Sequence, residues 1–341
     1  MTKPHIHFYG KNFGDIFEIH NILSKCPEFD TTHDFYNTGE KTGSDGDFVI
    51  TSHNTPKQYH GKVIHCQHGF GVASRVTYAD PVKFKADYCT QYYALMLYGD
   101  QQAKDYTKVG FPENKIAVVG CPASIPLLEV TPKLKIKFFN SAGFNTDRKT
   151  VCYIPSWDMG TPRGLFALWH KDGKERIRVE KFCKFITHTL GCNLIIRMHE
   201  RHRYSQDWGA KYNDIFKNYN VFFTYLDQQP SFNKALKYSD IFVGDYSNTN
   251  TYVYIMNKPI VHIGSKPLKR WANKNGGWPM EDRDGYITDD FNQLLKQIAD
   301  SLEHPEKFSE RRIEVVRKNI KYTGTDCIRP VISEFKELIL V

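Results

Sequence analysis

Nowhere does the chain approach the ~18 uninterrupted apolar residues that a bilayer-spanning helix needs. Its start, MTKPHIHFYG, also lacks the apolar stretch and cleavage pattern of a signal peptide. The expected location is the cytosol, with peripheral attachment at the inner membrane face as the extension of that reading. Low-complexity tracts and internal repeats are absent too, which excludes fibrous, disordered and solenoid classes. Eight cysteines (Cys26, Cys66, Cys89, Cys121, Cys152, Cys183, Cys192 and Cys327) are scattered singly, with no C-x-x-C pair. They read as reduced core thiols rather than as zinc ligands or a redox couple.

What is present is a soluble globular composition on 341 residues, long for one core and comfortable for two domains. The formal charge of +8 favours an anionic partner, such as a nucleotide, a phosphorylated polymer, an acidic membrane surface or nucleic acid. Short apolar runs alternate with helix-like segments. HIHFYG (5–10), DFVITS (47–52), KVIHCQHG (62–69), YYALMLYG (92–99) and KIAVVGCP (115–122) read as strands of a first half. TVCYIPSW (150–157), NLIIRMHE (193–200), NVFFTYL (220–226), DIFVGD (240–245) and PIVHI (259–263) read as strands of a second. Such alternation predicts an α/β fold with parallel sheets covered on both faces. Two Rossmann-like domains are expected, 1–135 and 150–321, with a helix at about 322–341 packing back on the first. The linker is placed in the proline- and lysine-rich stretch 123–149, where KLKIKFF could equally be an edge strand.

Ligands of parallel sheets bind outside the carboxyl ends of the strands, and two facing lobes would put those ends on opposite walls of one cleft. The strand ends carry the chemistry. His68, between Gln67 and the Gly69-Phe70-Gly71 turn, is the best general-base candidate: its unperturbed pKa is near 6.5, and the glycines admit a substrate hydroxyl close to the backbone. A hydrogen-bonded structural histidine is the plainer alternative. Gly120 closes another strand of that half, and Ser156 follows the strand at 150–154. Arg197 and His199 end the strand IIRMHE and could donate to phosphate oxygens, against the reading of RMHERHR as a surface cluster. After DIFVG come Asp245, Ser247, Asn248 and Thr249. Ser247 or Asn248 can cap the following helix, and uncommitted N–H groups there would bind an anion such as a diphosphate. Asp245 can hold the turn through its own backbone or accept a bond from a ligand hydroxyl; a well-capped helix with no ligand is the bland reading. No Asp-x-Asp pair stands at a strand end, so no metal is expected. His5, His7, His20 and His262 read as structural.

Taken together, CQHGFG, VVGCP, CYIPSW, IIRMHE and SDIFVGDYSNTNTYVYIMNKPIV, in that order and spacing, resemble the teichoic-acid and capsule polyol-phosphate transferases. These are glycerophosphotransferases that use CDP-glycerol or CDP-ribitol and are built on the GT-B fold. The resemblance covers most of residues 60–265. It implies that His68-Gly69 supplies the base for the acceptor hydroxyl, that Gly120-Cys121-Pro122 ends the first lobe's last strand, and that His199, Ser247 and Asn248 bind the donor diphosphate. The chain departs from the family pattern at Ala123, where an arginine is usual, at Glu200 in place of proline and at Asn248 in place of a second serine. It also lacks the long amphipathic membrane-docking segment of the polymerases.

The expectation is a metal-independent transferase with no cofactor, taking a CDP- or UDP-linked donor. The acceptor is a hydroxyl on a glycan, polyol phosphate or lipid-linked polymer. Donor contacts are expected from Arg197, Ser156, Asp245, Ser247, Asn248 and Thr249, with TYLDQQPS (224–231) reaching the base and ribose. Gly69, Gly71 and Gly120 lie on the acceptor side, and His68 and His199 are catalytic. One rival is a sugar transferase acting on DNA or another large polyanion through the basic stretches 132–139, 197–203 and 266–274, where Lys266, Lys269, Arg270 and Lys274 with Trp271 could grip a phosphate backbone. A binding module without catalysis and a GT-B epimerase are the others.

Overall fold

The structure, a computed structural model, describes residues 3–11, 14–36, 45–51, 60–66, 91–155, 173–198, 208–225, 231–245, 247, 249–264 and 283–340. The chain forms two compact units: one runs to Leu128 and resumes at Val316, and the other lies between Glu129 and Val315.

Each unit is built on a six-stranded, all-parallel sheet. In the first, β1 (His5–Lys11), β2 (Asp30–Tyr36), β3 (Asp45–Thr51), β4 (His60–Cys66), β5 (Ala94–Leu97) and β6 (Ile116–Val118) lie in the order β2-β1-β3-β4-β5-β6. In the second, β7 (Thr150–Ile154), β8 (Asn193–Met198), β9 (Val221–Tyr225), β10 (Ile241–Gly244), β11 (Ile260–Ile263) and β12 (Tyr286–Thr288) lie in the order β12-β11-β10-β7-β8-β9. The strand order reverses between β7 and β10, the type of crevice in which such sheets take their ligands.

Burial on both faces explains the near-continuous apolar runs. On one face of the first sheet Ile6, Phe8, Ile50, Ile64 and Met96 pack with Ile16, Ile19 and Leu23 of the helix Asp15–Leu23. Val331, Phe335 and Leu338 of the last helix, Ile328–Leu340, join the same cluster. On the opposite face Tyr9, Val49, Val63, Leu95 and Leu97 pack with Tyr106 and Phe111. The period-2 alternation Phe8-in, Tyr9-out decides which cluster each residue joins. Seven cysteines are described, all buried, and no disulfide forms among them.

Three elements differ from the expectation. The strand β2 (DTTHDFY) and the strand β12 (YIT) escape the sequence reading because their polar residues hide the apolar signal; each is an edge strand, half open to solvent. KLKIKFF is not an edge strand but lies within the helix Pro132–Ser141. Its lysine–aliphatic alternation imitates a strand. Pro132 at the first helical position and the adjacent pair Phe138 and Phe139, both buried, select the helix instead.

Candidate functional site

Of the residues singled out in the sequence, Gly120, Arg197, Asp245, Ser247 and Thr249 fall within the described structure. His68, Gly69, Gly71, Ser156, His199 and Asn248 lie outside the described residues, as do most of TYLDQQPS and of the basic stretches 197–203 and 266–274.

The turn after β10 is built from its own side chains. The carboxylate of Asp245, wholly buried at 0% exposure, accepts from Ser247 N at 3.2 Å, and Ser247 Oγ accepts from Thr249 N at 3.2 Å. Asn250 N in turn donates to Ser247 O at 3.1 Å. Asp and Ser thus close two successive side-chain turns of the kind short polar residues favour. The N–H groups of Ser247, Thr249 and Asn250 are thus engaged inside the loop, while Tyr246 and Asn248 lie outside the described residues. A Cβ at Gly244 would sit 2.8 Å from Asn250 Oδ1, so a larger residue there would push the Asn250 side chain aside.

Beneath the turn lies a buried polar network that the sequence reading missed. Arg283, 3% exposed, donates through Nη1 to the carbonyl of Asp245, and Asn250 Nδ2 donates to the same oxygen at 2.8 Å. Tyr254 Oη donates to Asp284 O at 2.7 Å and accepts from Asp284 N at 2.7 Å, while His262 Nε2 lies 3.0 Å from both Tyr254 Oη and Asp284 O. Burial and the neighbouring guanidinium of Arg283 push the His262 imidazole down to about 3, so it is neutral at physiological pH. His262 is structural, as its sequence context implied. Burial raises the Asp284 carboxyl, against which the Gly285 amide and the charges of Arg312 and Arg311 act; Arg311 Nε lies 3.5 Å from Asp284 Oδ1. Arg283 gave no sequence signal, standing between two aspartates in MEDRDGY where an arginine is unremarkable.

Arg197, 3% exposed, is the penultimate residue of β8 and pairs in register with Thr224. Burial drives the Cys152 thiol up to about 12, and the Arg197 charge beside it opposes that rise. All the strands are parallel, so Arg197 and the Asp245 turn occupy the same edge of the sheet. β7 alone separates their strands, a spacing of about 10 Å. The second unit therefore brings a buried cation, a carboxylate and two hydroxyl-bearing residues to one sheet edge.

In the first unit Gly120 has φ +76°, and a Cβ there would collide with the Tyr322 carbonyl, to which Cys121 N donates at 3.0 Å. Its requirement is thus a close backbone crossing. Nearby, Asp15 is buried with its Oδ2 accepting from Tyr98 Oη at 2.5 Å and its Oδ1 from Ala123 N at 3.0 Å. Burial outweighs these bonds and lifts its carboxyl to about 6.

Residues 48–332 match the profile of the CDP-Glycerol:Poly(glycerophosphate) glycerophosphotransferases. The chain belongs to this family. It is a transferase of the glycerophosphotransferase family with an α/β architecture of the GT-B kind. The wall teichoic acid polymerase TagF superposes with a TM-score of 0.71 at 14% identity, covering 99% of this chain and 90% of that one. The S. aureus MnaA–UDP structure gives 0.60 at 12% identity, over 100% of this chain and 98% of that one. Anabaena Alr3699/HepE in complex with UDP-glucose gives 0.52 at 10% identity, over 99% and 100%. At these identities the likenesses concern the fold. No curated protein sequence matches the chain.

Proposed function

We propose that this family member moves a glycerol phosphate or related polyol phosphate from a CDP-linked donor to an acceptor hydroxyl on a polyol phosphate, glycan or lipid-linked polymer, working at the inner membrane face. The supporting observation is the family match over residues 48–332, which takes in β4 to β12, the segment around His68 and the Asp245 turn.

In this reading the imidazole of His68 takes the proton of the acceptor hydroxyl. The freed oxygen attacks the β-phosphorus of the donor, the bond from that phosphorus to the bridging oxygen breaks, and CMP leaves. Arg197 and His199 offset charge on the diphosphate, with the hydroxyls of Ser247 and Thr249 and the side chains of Ser156 and Asn248 as further donors. Groups of this type contribute about 3–4 kcal/mol each when aimed at developing charge. Asp245 acts from behind, fixing the turn on which Ser247 stands.

The test is direct. Transfer from radiolabelled CDP-glycerol is compared with CDP-ribitol and with UDP- and GDP-sugars. His68→Ala is expected to abolish turnover while leaving donor affinity within about twofold, because a base contributes to the reacting step and not to donor binding. A His68→Ala enzyme with normal turnover would remove the base from the mechanism, and transfer from a UDP-sugar alone would replace the donor.

A further inference from the structure

Asp15 is a buried carboxylate that no cation pairs with among the described residues. It opens the helix that follows β1, yet its carboxylate reaches across the carboxyl edge of the first sheet to residues that follow two other strands. Tyr98, just beyond β5, donates through Oη to Oδ2 at 2.5 Å. Ala123 N, beyond β6, donates to Oδ1 at 3.0 Å, and the Cys121 thiol approaches the same oxygen at 3.7 Å. Between them stands the end of β4: burial, and then the charge of Asp15, raise the thiol of its last residue, Cys66. His68 follows Cys66 by two positions in the chain. The strand order reverses between β1 and β3, the type of crevice in which a parallel sheet takes its ligand, and Asp15 spans it from the β1 side to the groups beyond β5 and β6.

Holding a charge here works against the fold. Burial lifts the carboxyl from 3.8 to about 6, outweighing the bonds from Tyr98, Ala123 and Cys121, so the ionised form is disfavoured at neutral pH. Asparagine has the same shape and no charge, with an oxygen for Ala123 N and an amide for the Tyr98 hydroxyl. Ionisable groups kept at such a cost gather at functional sites. The ionised form adds one property, acceptor capacity on both oxygens at once. A backbone amide can only donate, so protonation has to fall on Oδ2, and the Tyr98 hydroxyl must then turn to receive that proton. The other titratable groups facing the carboxylate are Tyr98 and the thiols of Cys66, Cys121 and Cys327. Burial raises all three thiols, which leaves them protonated where Asp15 titrates.

We propose that Asp15 is a positioning residue for the transfer reaction: its ionised carboxylate ties the groups beyond β5 and β6 to the helix after β1, and thereby fixes the end of β4 from which His68 follows. The inference rests on the reading of His68 as the base and is independent of the donor.

The test compares wild type, Asp15→Asn and Tyr98→Phe in transfer, with donor binding measured separately by calorimetry. Asp15→Asn is expected to fold and gain stability at neutral pH, yet to lose about tenfold in kcat with donor affinity within about twofold, as displacement of a reacting group does. A purely structural residue would instead let turnover follow stability. The pH profile separates the two roles. With Asp15 and His68 both required unprotonated, log kcat of the wild type rises at its acid end with a slope of about 2, and that of Asp15→Asn with a slope of about 1. Tyr98→Phe removes a bond that lowers the Asp15 carboxyl, so its acid limb should move to higher pH. Wild-type kcat in Asp15→Asn, an acid slope that the substitution leaves unchanged, or an acid limb of Tyr98→Phe at the wild-type position would each overturn the proposal. Slow turnover by His68→Ala beside normal turnover by Asp15→Asn would overturn this inference alone, whereas normal turnover by His68→Ala would remove the base and this inference with it.

Discussion

Arg283 shows what one buried guanidinium does for a loop it does not belong to. Its bond to the Asp245 carbonyl, shared with Asn250, fixes the backbone from which Asp245 reaches Ser247 N. Replacing a charged donor to a buried carbonyl costs about 1.5–3 kcal/mol, and here the cost falls on the turn's geometry. Arg283→Met is therefore expected to raise the KM for the nucleotide donor about tenfold while kcat changes less, with Arg283→Lys recovering part of the loss. Hydrogen exchange at the amides of Ser247, Thr249 and Asn250 should accelerate in the methionine variant, whichever donor the enzyme takes. Unchanged exchange and unchanged KM would separate Arg283 from the site. The motif around Asp245 was legible because small hydroxyl and amide residues between a strand and a helix are locally conspicuous. Its support was not, because Arg283 stands 38 positions beyond Asp245 in the chain.

Among elements, the helix Pro132–Ser141 and the crossing at Gly120 show opposite limits of local reading. The helix was misjudged because KLKIK carries a strand's period, and only the Phe138–Phe222 and Phe138–Tyr238 contacts reveal which face is buried. Gly120 was noticed for its place at a strand end, yet its constraint comes from Tyr322, some two hundred residues on in the chain. At φ +76° any side chain is strained, and here it would also strike a carbonyl. Gly120→Ala should lower unfolding free energy by about 1–3 kcal/mol, measured by urea denaturation. A variant as stable as wild type would mean that the crossing relaxes at no cost.

At the scale of the whole molecule, buried ionisable groups make opposed contributions to the pH dependence of stability. The Asp15 carboxyl is raised from 3.8 to about 6 in the fold. The stability linked to its proton is complete below 3.8 and is lost as pH rises through 6. His262 is lowered from 6.5 to about 3, so its contribution is complete above 6.5 and is lost as pH falls toward 3. Acidification from pH 6.5 to 4 should therefore weaken the second unit through His262, while in the first the gain at Asp15 is opposed by His20, which burial lowers from 6.5 to about 4. Asp15→Asn should raise stability at pH 7 by roughly 3 kcal/mol, the equivalent of about two pKa units, and change little near pH 4. Calorimetry at the two pH values checks this, and equal effects at both would sever Asp15 from the dependence. Among the described residues no helix is long and apolar enough to cross a membrane.

By itself the sequence determined the alternation of strand and helix, the doubling of that pattern, and the order of polar motifs at the strand ends from which the family could be read. Those features are local: each follows from periodicity, glycine placement or the hydrogen-bonding habits of short polar side chains within a few residues. Tertiary structure alone decided the edge strands β2 and β12 and the Arg283 support under Asp245. Each depends on contacts between positions far apart in the chain, where burial and charge pairing outweigh local preference and leave no trace in the spacing of residues.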